Sequence, residues 1–302
     1  MRRTANVTSE GRQLYSDVVG DLVDLTPQTA VVASHGALVV IPIANVAIAR
    51  LVPPSTADEL ALEEIGARGW QAAETEALGG WLLRANGGFT IRANSVHAVR
   101  QPRLPLDEAI DYARAWYAAR DLPLRINLPT EGRRLLDAAL GERGFEPSPD
   151  NHVMVARLDQ LHGDALDTTV SGAPDEDWFA RYRDGQGADP VSRALLLRHD
   201  RLGFATIRRD GAVVAIGRGV IDDGWLGVAA VEVAPQLRRQ GLARAVMAAL
   251  WQWGASQGAE RSYLHVASTN PGAVALYASQ GYWIHHDYRT RTELTPSAAT
   301  DC

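Results

Sequence analysis

Short runs of apolar, mostly β-branched residues separated by turn residues fill the N-terminal part of the chain. The runs cover residues 18–25, 29–33, 37–41 and 46–52, with Pro, Gly and polar residues between them. Four or five short strands so close together predict a small, closed or nearly closed β-barrel of SH3-like size. A unit this small has a marginal core. We therefore interpret the barrel as a lid packed on its neighbour, with a partner-binding module as the alternative.

From Pro54 onward the pattern changes to one of mixed strands and helices. Thr56 and Glu59 have the spacing of a capping box, which predicts a helix from Thr56 to about Ile65. Apolar side chains at helical spacing predict further helices at 107–120 and 130–143. The predicted strands of this part cover residues 71–78, 81–85, 89–99, 124–128 and 153–158.

The C-terminal part begins after residues 161–174, a polar stretch typical of a linker. Asp-Gly pairs at 210–211 and 223–224 predict two consecutive hairpins, with strands at 203–209, 212–220 and 225–233. The other predicted elements are helices at 175–183, 191–198, 239–257 and 271–280, and strands at 262–267 and 282–294.

The middle and C-terminal parts contain elements in the same order. When Gly144-Phe145 is aligned with Gly281-Tyr282, the helix–strand–helix–strand segments coincide, which predicts one unit used twice. We therefore predict an α/β (α+β) protein of three domains. They are the barrel at 1–55, a first copy of the repeated unit at 56–160 and a second copy at 161–302.

Composition excludes several classes of function. The 302 residues include 36 acidic and 30 basic side chains, for a net charge of −6, and every basic residue is Arg. The absence of Lys excludes Schiff-base and Walker-type lysine chemistry, and the acidic balance argues against a general nucleic-acid binder. The single cysteine, Cys302, forms no intramolecular disulfide. Because the sequence shows neither a secretory signal nor a bilayer-spanning run, we expect a cytoplasmic protein without a membrane partner.

The most informative stretch joins a strand to a helix. The strand ends in Val231, Glu232 and Val233, and Pro235 separates it from the start of the helix. Free main-chain N–H groups and the positive end of the helix dipole would face an anion at this point, with pyrophosphate as the natural occupant. An ordinary solvated helix start with exposed arginines is the alternative. The residues of this predicted cradle are Arg238, Arg239, Gln240, Gly241, Leu242, Ala243 and Arg244.

A second motif follows at fixed intervals. It consists of Asn270, Ala273, Leu276, Tyr277, Gly281 and Tyr282. Together the two motifs resemble the GNAT superfamily of acetyl-CoA-dependent N-acetyltransferases. That family shows Val-x-Pro, then Gln/Arg-x-x-Gly-x-Gly/Ala, then Asn-x-x-Ala-x-x-Leu-Tyr-x-x-x-Gly-Phe/Tyr. The resemblance covers residues 175–294 well and 69–158 only as a pattern. It implies a GNAT fold for the second copy and a degenerate GNAT-like fold for the first.

The resemblance implies a role for each matching residue. Main-chain groups of residues 231–233 would pair with the pantetheine arm of acetyl-CoA, and the amides of residues 239–244 would bind its pyrophosphate. Asn270 would hydrogen bond to the pantetheine. Tyr277 would lie near the thioester sulfur as the general acid for the leaving thiolate, since a phenol can protonate a thiolate that it contacts. Acetyl-CoA would then be the acyl donor.

An amine that attacks the thioester directly must lose a proton. His265, five residues before Asn270, is the leading candidate for the base because histidine titrates near neutral pH. Glu232 on the neighbouring strand is the second candidate, either as base or as a group that orients the substrate's ammonium. The adjacent His285 and His286 do not predict a metal site, because neighbouring residues of a strand point to opposite faces.

The first copy departs from the motif. In the alignment above, Leu140 replaces Tyr277 and Arg133 replaces Asn270, and residues 102–106 lack the small residues of a pyrophosphate cradle. We therefore predict that this degenerate copy shapes the acceptor groove or supports the second copy.

These observations predict an N-acetyltransferase that transfers acetyl to a primary amine by direct attack in a ternary complex. The alternative is a non-catalytic acyl-CoA sensor or partner-binding protein. The acceptor stays open between a small amine, an amino acid, a protein N-terminus and a lysine side chain. The net negative charge slightly favours a cationic acceptor by electrostatic steering.

Overall fold

The structure is a computed structural model that describes residues 1–7, 13–50 and 54–294. The chain divides into two compact units, Met1–Pro53 and Pro54–Cys302. In the described residues no helix is both long enough and apolar enough to cross a bilayer.

The N-terminal unit consists of short antiparallel strands. β2, β1 and β6 form one three-stranded sheet, and β3, β4 and β5 form another. Val18, Val32 and Ile41 make up its small buried core. The strands are β1 Arg2–Val7, β2 Gln13–Asp17, β3 Asp21–Leu25, β4 Thr29–Ser34, β5 Ala37–Pro42 and β6 Val46–Ile48.

The sequence predicted three of these strands at their observed places and misjudged the others. β4, β5 and the start of β6 are confirmed, whereas β1 lies in a polar segment that carried no strand pattern. The run at 18–25 starts as a strand only at Asp21. A side chain on Gly20 would lie 1.9 Å from the Ala33 carbonyl oxygen, so the main chains approach closely there. Residues 51 and 52 of the last predicted strand lie outside the described residues.

The second unit holds the helices and the large sheet. Its first part contains α1 Thr56–Gly69, β7 Glu74–Leu78, β8 Trp81–Ala85, β9 Val96–His97, α2 Leu106–Ala118, β10 Arg125–Pro129, α3 Arg134–Glu142, β11 Phe145–Pro147 and β12 Asn151–Arg157. Its second part contains β13 Thr169–Ser171, α4 Glu176–Arg181, α5 Pro190–Leu196, β14 Leu202–Arg209, β15 Ala212–Asp222, β16 Trp225–Val233, α6 Leu242–Ser256, β17 Arg261–Ala267, α7 Pro271–Ala278 and β18 Trp283–Glu293.

The two copies of the repeated unit share a single sheet. In the described residues its order is β13-β14-β15-β16-β17-β12-β18-β10-β9-β8-β7, with β11 paired to β18. β12, the last strand of the first copy, lies between β17 and β18, and β18 pairs with β10. The copies therefore exchange their last strands, which brings residues of the first copy next to the second. The boundary between residues 160 and 161 stays a prediction.

Two neighbouring strands of the second copy separate along their length. β16 and β17 are paired in parallel only from Trp225↔Arg261 to Val228↔Leu264. On its other side β16 stays paired with β15 as far as Val233, but with an irregular register. Ala230 lies at this irregularity with a φ of 55°, a conformation that is uncommon for a residue with a side chain. The bulge turns β16 away from β17 and opens a wedge between them.

Helix α6 packs on one face of the sheet near this wedge. A side chain on Gly217 would lie 2.5 Å from the Val246 side chain, and one on Gly219 would lie 2.8 Å from Trp253. Small residues on β15 thus let the helix approach closely. Its inner face joins the largest hydrophobic core of the chain, together with β14, β16 and β17.

Three details of the sequence prediction are corrected. The capping box of α1 uses Ser55 and Asp58, one position earlier than predicted, because Ser55 is the residue whose side chain accepts the N3 amide. The strand predicted at 89–99 is reduced to β9, since residues 89–95 form a loop held by side-chain hydrogen bonds. The predicted linker contains β13, which extends the edge of the sheet by pairing with β14.

Candidate active site

A cavity of about 280 Å³ lies where β16 and β17 separate. Val228 and Ala230 of β16 and His265 of β17 line this cavity. Tyr288 of β18 and Asn151 of β12 also line it, so the exchanged strands of both copies contribute to its wall. The volume is near the lower limit of the roughly 300–1,000 Å³ that is typical of small-molecule sites.

One wall of the cavity is a loop from the first copy, residues 86–95. The buried Asn94 organises this loop, because its Oδ1 accepts the main-chain N–H groups of Asn86 at 2.7 Å and Gly88 at 3.0 Å. Its side-chain amide donates to two main-chain carbonyls of the same loop. The loop presents Arg92 to the cavity, with the guanidinium 5.0 Å from the centre of the Trp70 ring.

A turn at Tyr182–Ala188 forms another wall. Arg183, Asp184 and Gly185 have φ angles of 48°, 51° and 94°, so three successive residues adopt left-handed conformations. Two of the three carry side chains, which makes the turn strained. Oε2 of Glu232 accepts the main-chain N–H of Arg183 at 2.9 Å and so fastens the turn to β16.

The structure therefore gives Glu232 a supporting contact. Burial raises the pKa of this carboxyl, while the Arg183 amide and the neighbouring arginines act in the opposite direction. Among the described residues that line the cavity there is no Glu or Asp. Glu232 thus lies behind the cavity wall, where it holds the turn that carries Tyr182 and Arg183.

The predicted anion cradle is open to solvent. Gly241 precedes α6 with a φ of 82°, and a side chain built there would meet no atom of the described residues within 4 Å. The structure shows no side-chain cap for α6 in the described part of the chain, so its first-turn N–H groups are available. Arg238, Arg239 and Arg244 are all exposed beside it. Such a helix start favours a bound anion.

Asn270 begins the helix that carries Tyr277. Its Oδ1 caps α7 by accepting the Ala273 N–H at 3.1 Å, and its Nδ2 donates to no described residue. Sequence reasoning had given Asn270 a role toward pantetheine only. The structure adds the capping role and leaves the amide N–H groups of the side chain available.

A buried hydrogen-bond chain holds Tyr282, whose ring supports Tyr277. The Tyr282 ring packs edge-on against Tyr277, with 6.2 Å between ring centres. The Tyr282 hydroxyl accepts the indole N–H of Trp251 at 3.0 Å and contacts the Ser262 hydroxyl at 2.6 Å. Ser262 in turn donates to the Leu226 carbonyl at 3.0 Å. The chain links α6, β16 and β17 to the segment that follows α7.

The Tyr277 hydroxyl has no hydrogen-bond partner among the described residues. Burial raises the pKa of this phenol to about 12. It is therefore protonated at neutral pH and can donate a proton, as the predicted general acid must.

His265 lies inside the wedge, on the wall of the cavity. Its ring packs edge-on against Tyr263 and Tyr288, and its Nδ1 is buried without a partner among the described residues. A side chain on Gly66 of α1 would lie 3.2 Å from Nε2. Burial holds the pKa of the imidazole well below 6.5, and the positive charge of Arg92 lowers it further. The ring is therefore neutral at physiological pH and able to accept a proton.

A buried polar cluster lies between α1 and β18. The Glu63 carboxylate accepts His97 Nε2 at 2.9 Å and His286 Nε2 at 3.0 Å, and the Nδ1 atoms of His286 and His285 are 2.8 Å apart. The expectation that His285 and His286 point to opposite faces is wrong. The register of β12 and β18 shifts between Val153 and Met154, and the resulting irregularity at His285 brings the two rings together.

Hydrogen bonds to Glu63 hold its pKa well below the usual value although burial opposes this effect. The carboxylate fixes both neighbouring imidazoles as Nε2–H donors. No group of three or more potential ligands in the described part of the chain could hold a metal ion.

Several residues of the cavity escaped the sequence analysis. The glycines at 87–88 followed by Asn94 were one local signal, because a Gly-Gly turn with a nearby Asn is typical of a side-chain-bonded loop. Asp184-Gly185, a pair typical of turns, was another. Asn151 and Tyr288 reach the cavity through strand exchange, whereas Tyr182 and Arg183 belong to the strained turn. Trp70 directly follows α1. The missed residues are Trp70, Thr90, Arg92, Asn151, Tyr182, Arg183 and Tyr288.

Comparison with known proteins identifies a matching family and a similar protein. A family described as "Probable histone acetyltransferase Rv0428c C-terminal" matches residues 56–291. The protein "Probable histone acetyltransferase Rv0428c" of Mycobacterium tuberculosis (strain ATCC 25618 / H37Rv) is 30% identical over 288 residues, which cover 91% of this chain and 88% of that protein.

Solved structures share the fold. A GCN5-related N-acetyltransferase from Kribbella flavida is similar with a TM-score of 0.61 and 21% identity, over 80% of this chain and 97% of that one. A tandem GNAT protein from the clavulanic acid biosynthesis pathway is similar with a TM-score of 0.54 and 12% identity, over 82% of this chain and 90% of that one.

Proposed function

Since this chain belongs to the Rv0428c C-terminal family and is an N-acetyltransferase of the GNAT superfamily, we propose that it transfers acetyl from acetyl-CoA to a primary amine by direct attack in a ternary complex. The GNAT fold expected from the sequence, with two tandem copies and a β-rich N-terminal part, is confirmed. The site residues, the direct attack in a ternary complex and the acceptor are the subject of the proposal.

The donor side of the proposal rests on the open start of α6. The pyrophosphate of acetyl-CoA contacts the free N–H groups of residues 239–244, and the exposed arginines add positive charge. Residues 229–233 of β16 have no partner strand on the β17 side among the described pairs, so their main-chain groups are available to the pantetheine arm. The side-chain amide of Asn270 adds a further donor.

The reaction then follows from two neutral side chains. The amine nitrogen attacks the thioester carbonyl carbon, a C–N bond forms, and the C–S bond breaks. His265 accepts the proton that the nitrogen loses, and Tyr277 gives its phenolic proton to the departing thiolate. Both groups are in the required protonation state at neutral pH because burial lowers the pKa of His265 and raises that of Tyr277.

One observation carries the proposal: the cavity opens at the separation of β16 and β17, with His265 in its wall and its buried Nδ1 unpartnered in the described residues. An unpaired polar atom in a buried wall is costly unless a ligand satisfies it. A substrate amine would supply the missing partner.

Initial-rate kinetics with varied acetyl-CoA and amine tests the ternary complex. Intersecting double-reciprocal lines and no acetylated enzyme after incubation with acetyl-CoA alone support direct attack. Parallel lines together with an acetylated protein would contradict it. Isothermal titration with CoA tests the donor site independently, and failure to bind at millimolar CoA would overturn the assignment of the cradle.

A further inference from the structure

The lining of the cavity is positively charged, in contrast to the net charge of the chain. Arg92 and Arg183 line it, and carboxylates are missing from the described residues of its wall. Two carboxylates outside the lining are engaged by other groups: Glu63 accepts from two imidazoles, and Glu232 accepts the Arg183 main-chain N–H. The overall charge of −6 therefore does not describe the field that an acceptor meets inside the cavity.

Arg92 is one of the arginines of this unit that have no carboxylate partner among the described residues. Many others pair with carboxylates, as Arg68 does with Asp222 and Arg289 with Asp150. The Arg92 side chain interacts with the Tyr288 hydroxyl, and its Nε is buried without a hydrogen-bond partner among the described residues. A buried guanidinium N–H without an acceptor is destabilising unless a ligand supplies one.

The surroundings hold this guanidinium in place. It lies over the Trp70 ring, and the buried Asn94 fixes the loop that carries it. Two further arginines, Arg84 and Arg218, are buried close enough for Arg92 to lower the pKa of each. A cationic group would be repelled by this set, whereas an anion would be attracted.

From this arrangement we propose that the acceptor is a small amine that also carries an anionic group, and that Arg92 binds this group. The inference rests on the proposed function, because it assigns the substrate class of the same cavity. The planar fork of Arg92 matches a carboxylate or a phosphate, and the volume of about 280 Å³ suits a small molecule. Nearby positive charge also favours the neutral form of the amine, which is the nucleophile.

This proposal replaces the expectation that the net charge favours a cationic acceptor. Long-range steering by a net charge is screened by salt over about 8–10 Å. The charged groups that line a buried cavity act at contact distance and therefore decide which acceptor binds.

Matched ligand pairs test the proposal on the full chain. Glycine is compared with glycinamide, β-alanine with β-alaninamide, and 2-aminoethyl phosphate with ethanolamine. Calorimetry measures their binding to the CoA complex, and CoA release gives kcat/KM. We expect the anionic member of at least one pair to bind and react about tenfold to a hundredfold better, as for a charge-assisted hydrogen bond. The carboxylate and phosphate pairs separate the two possible anions.

Variants assign the preference to Arg92. In Arg92→Gln the ratio within the preferred pair falls to about one, whereas Arg92→Lys keeps part of it because the charge remains. The control, Arg134→Gln, changes an exposed arginine outside the cavity and keeps the full ratio. An unchanged CoA affinity in Arg92→Gln shows that the variant is folded.

Two results would overturn the inference: equal binding of anionic and neutral partners by the wild type, or a preference that survives in Arg92→Gln. Anion-selective binding without acetylation of any bound amine would support the inference and contradict the proposed function. Acetylation without anion selectivity would support the proposed function and contradict the inference.

Discussion

The carboxylate of Glu232 accepts the main-chain N–H of Arg183 at 2.9 Å, and this hydrogen bond fastens a strained left-handed turn to the splayed end of β16. Sequence reasoning gave Glu232 a chemical role as a second base. The structure gives it a contact that supports the turn carrying Tyr182 and Arg183, and its role as a base stays a prediction. The two roles lead to different mutational results.

Substitutions of Glu232 distinguish between two roles of its carboxylate: support of the turn at Arg183 and proton transfer. Glu232→Gln keeps an oxygen that can accept the Arg183 amide, so we expect kcat to stay within about threefold of wild type. Glu232→Ala releases the turn, and we expect the KM for the acceptor to rise about tenfold, in line with a lost hydrogen bond to a charged group. Steady-state kinetics measures both. A loss of kcat in Glu232→Gln as large as that of Glu232→Ala would instead indicate proton transfer.

Tyr277→Phe removes the phenolic proton and keeps the ring. We expect kcat to fall by about 10²–10⁴-fold, the usual contribution of a general acid, while the affinity for CoA stays unchanged. Because burial raises the pKa of Tyr277 to about 12, ionisation of this phenol does not limit the rate between pH 7 and about 10. Rate–pH profiles and calorimetry measure these effects. Tyr112→Phe, at an exposed phenol of α2, is the control.

A Tyr277→Phe variant with nearly wild-type kcat would show that the thiolate leaves without help from this phenol. Loss of CoA binding in the same variant would show that Tyr277 mainly supports the donor site.

Protonation of His285 should destabilise the second unit in mild acid. Burial, together with the neighbouring His286, lowers the pKa of His285 to about 4 from an unfolded value of 6.5. The unfolded chain therefore binds more protons between these values, and the stabilisation present above pH 6.5 is lost as the pH falls toward 4. We expect His285→Gln to lose about 1 kcal/mol less than wild type between pH 7 and pH 5, because solvent around the partly exposed ring screens part of the effect.

Urea unfolding at the two pH values measures this difference. His162→Gln, at an exposed histidine, should lose as much stability as wild type. An identical loss in His285→Gln and wild type would contradict the assignment of the effect to His285.

The Trp251–Tyr282–Ser262 chain should contribute to stability. Tyr282→Phe removes the hydroxyl that accepts the Trp251 indole N–H and leaves this buried donor unsatisfied. We expect a decrease of about 1–3 kcal/mol in the free energy of unfolding. Denaturant unfolding measures it, with Tyr112→Phe, which gives up only a solvent-exposed hydrogen bond to Glu76, expected to lose less stability than Tyr282→Phe. A neutral Tyr282→Phe would show that water replaces the lost partner.

The sequence predicted those parts of the site that depend on local order. The strand end at 231–233, the small residues at the start of α6 and the Asn270–Tyr277 spacing are each contained in one short segment. Their expected elements are present in the structure. The motif at residues 231–244 and the motif from Asn270 to Tyr282 together then indicated the GNAT superfamily.

The remaining parts depend on contacts between distant segments. Arg92 reaches the cavity because Asn94 folds residues 89–95 into a loop, where the sequence had predicted a strand. The left-handed turn at Arg183 contains Asp184-Gly185, a pair typical of turns, but this pair does not reveal that Tyr182 and Arg183 reach the cavity. The bulge at His285 arises from the register of β12 against β18.

A direct assay of acetylation tests the central claim, that this chain transfers acetyl from acetyl-CoA to a primary amine. The wild-type chain is incubated with acetyl-CoA and the panel of anionic and neutral amines, and thiol release and product mass are followed together. The account predicts one thiol released for each amine acetylated, with the rate strongly reduced in Tyr277→Phe and His265→Ala. Tight CoA binding without acetylation of any amine would contradict it and would favour a non-catalytic acyl-CoA sensor.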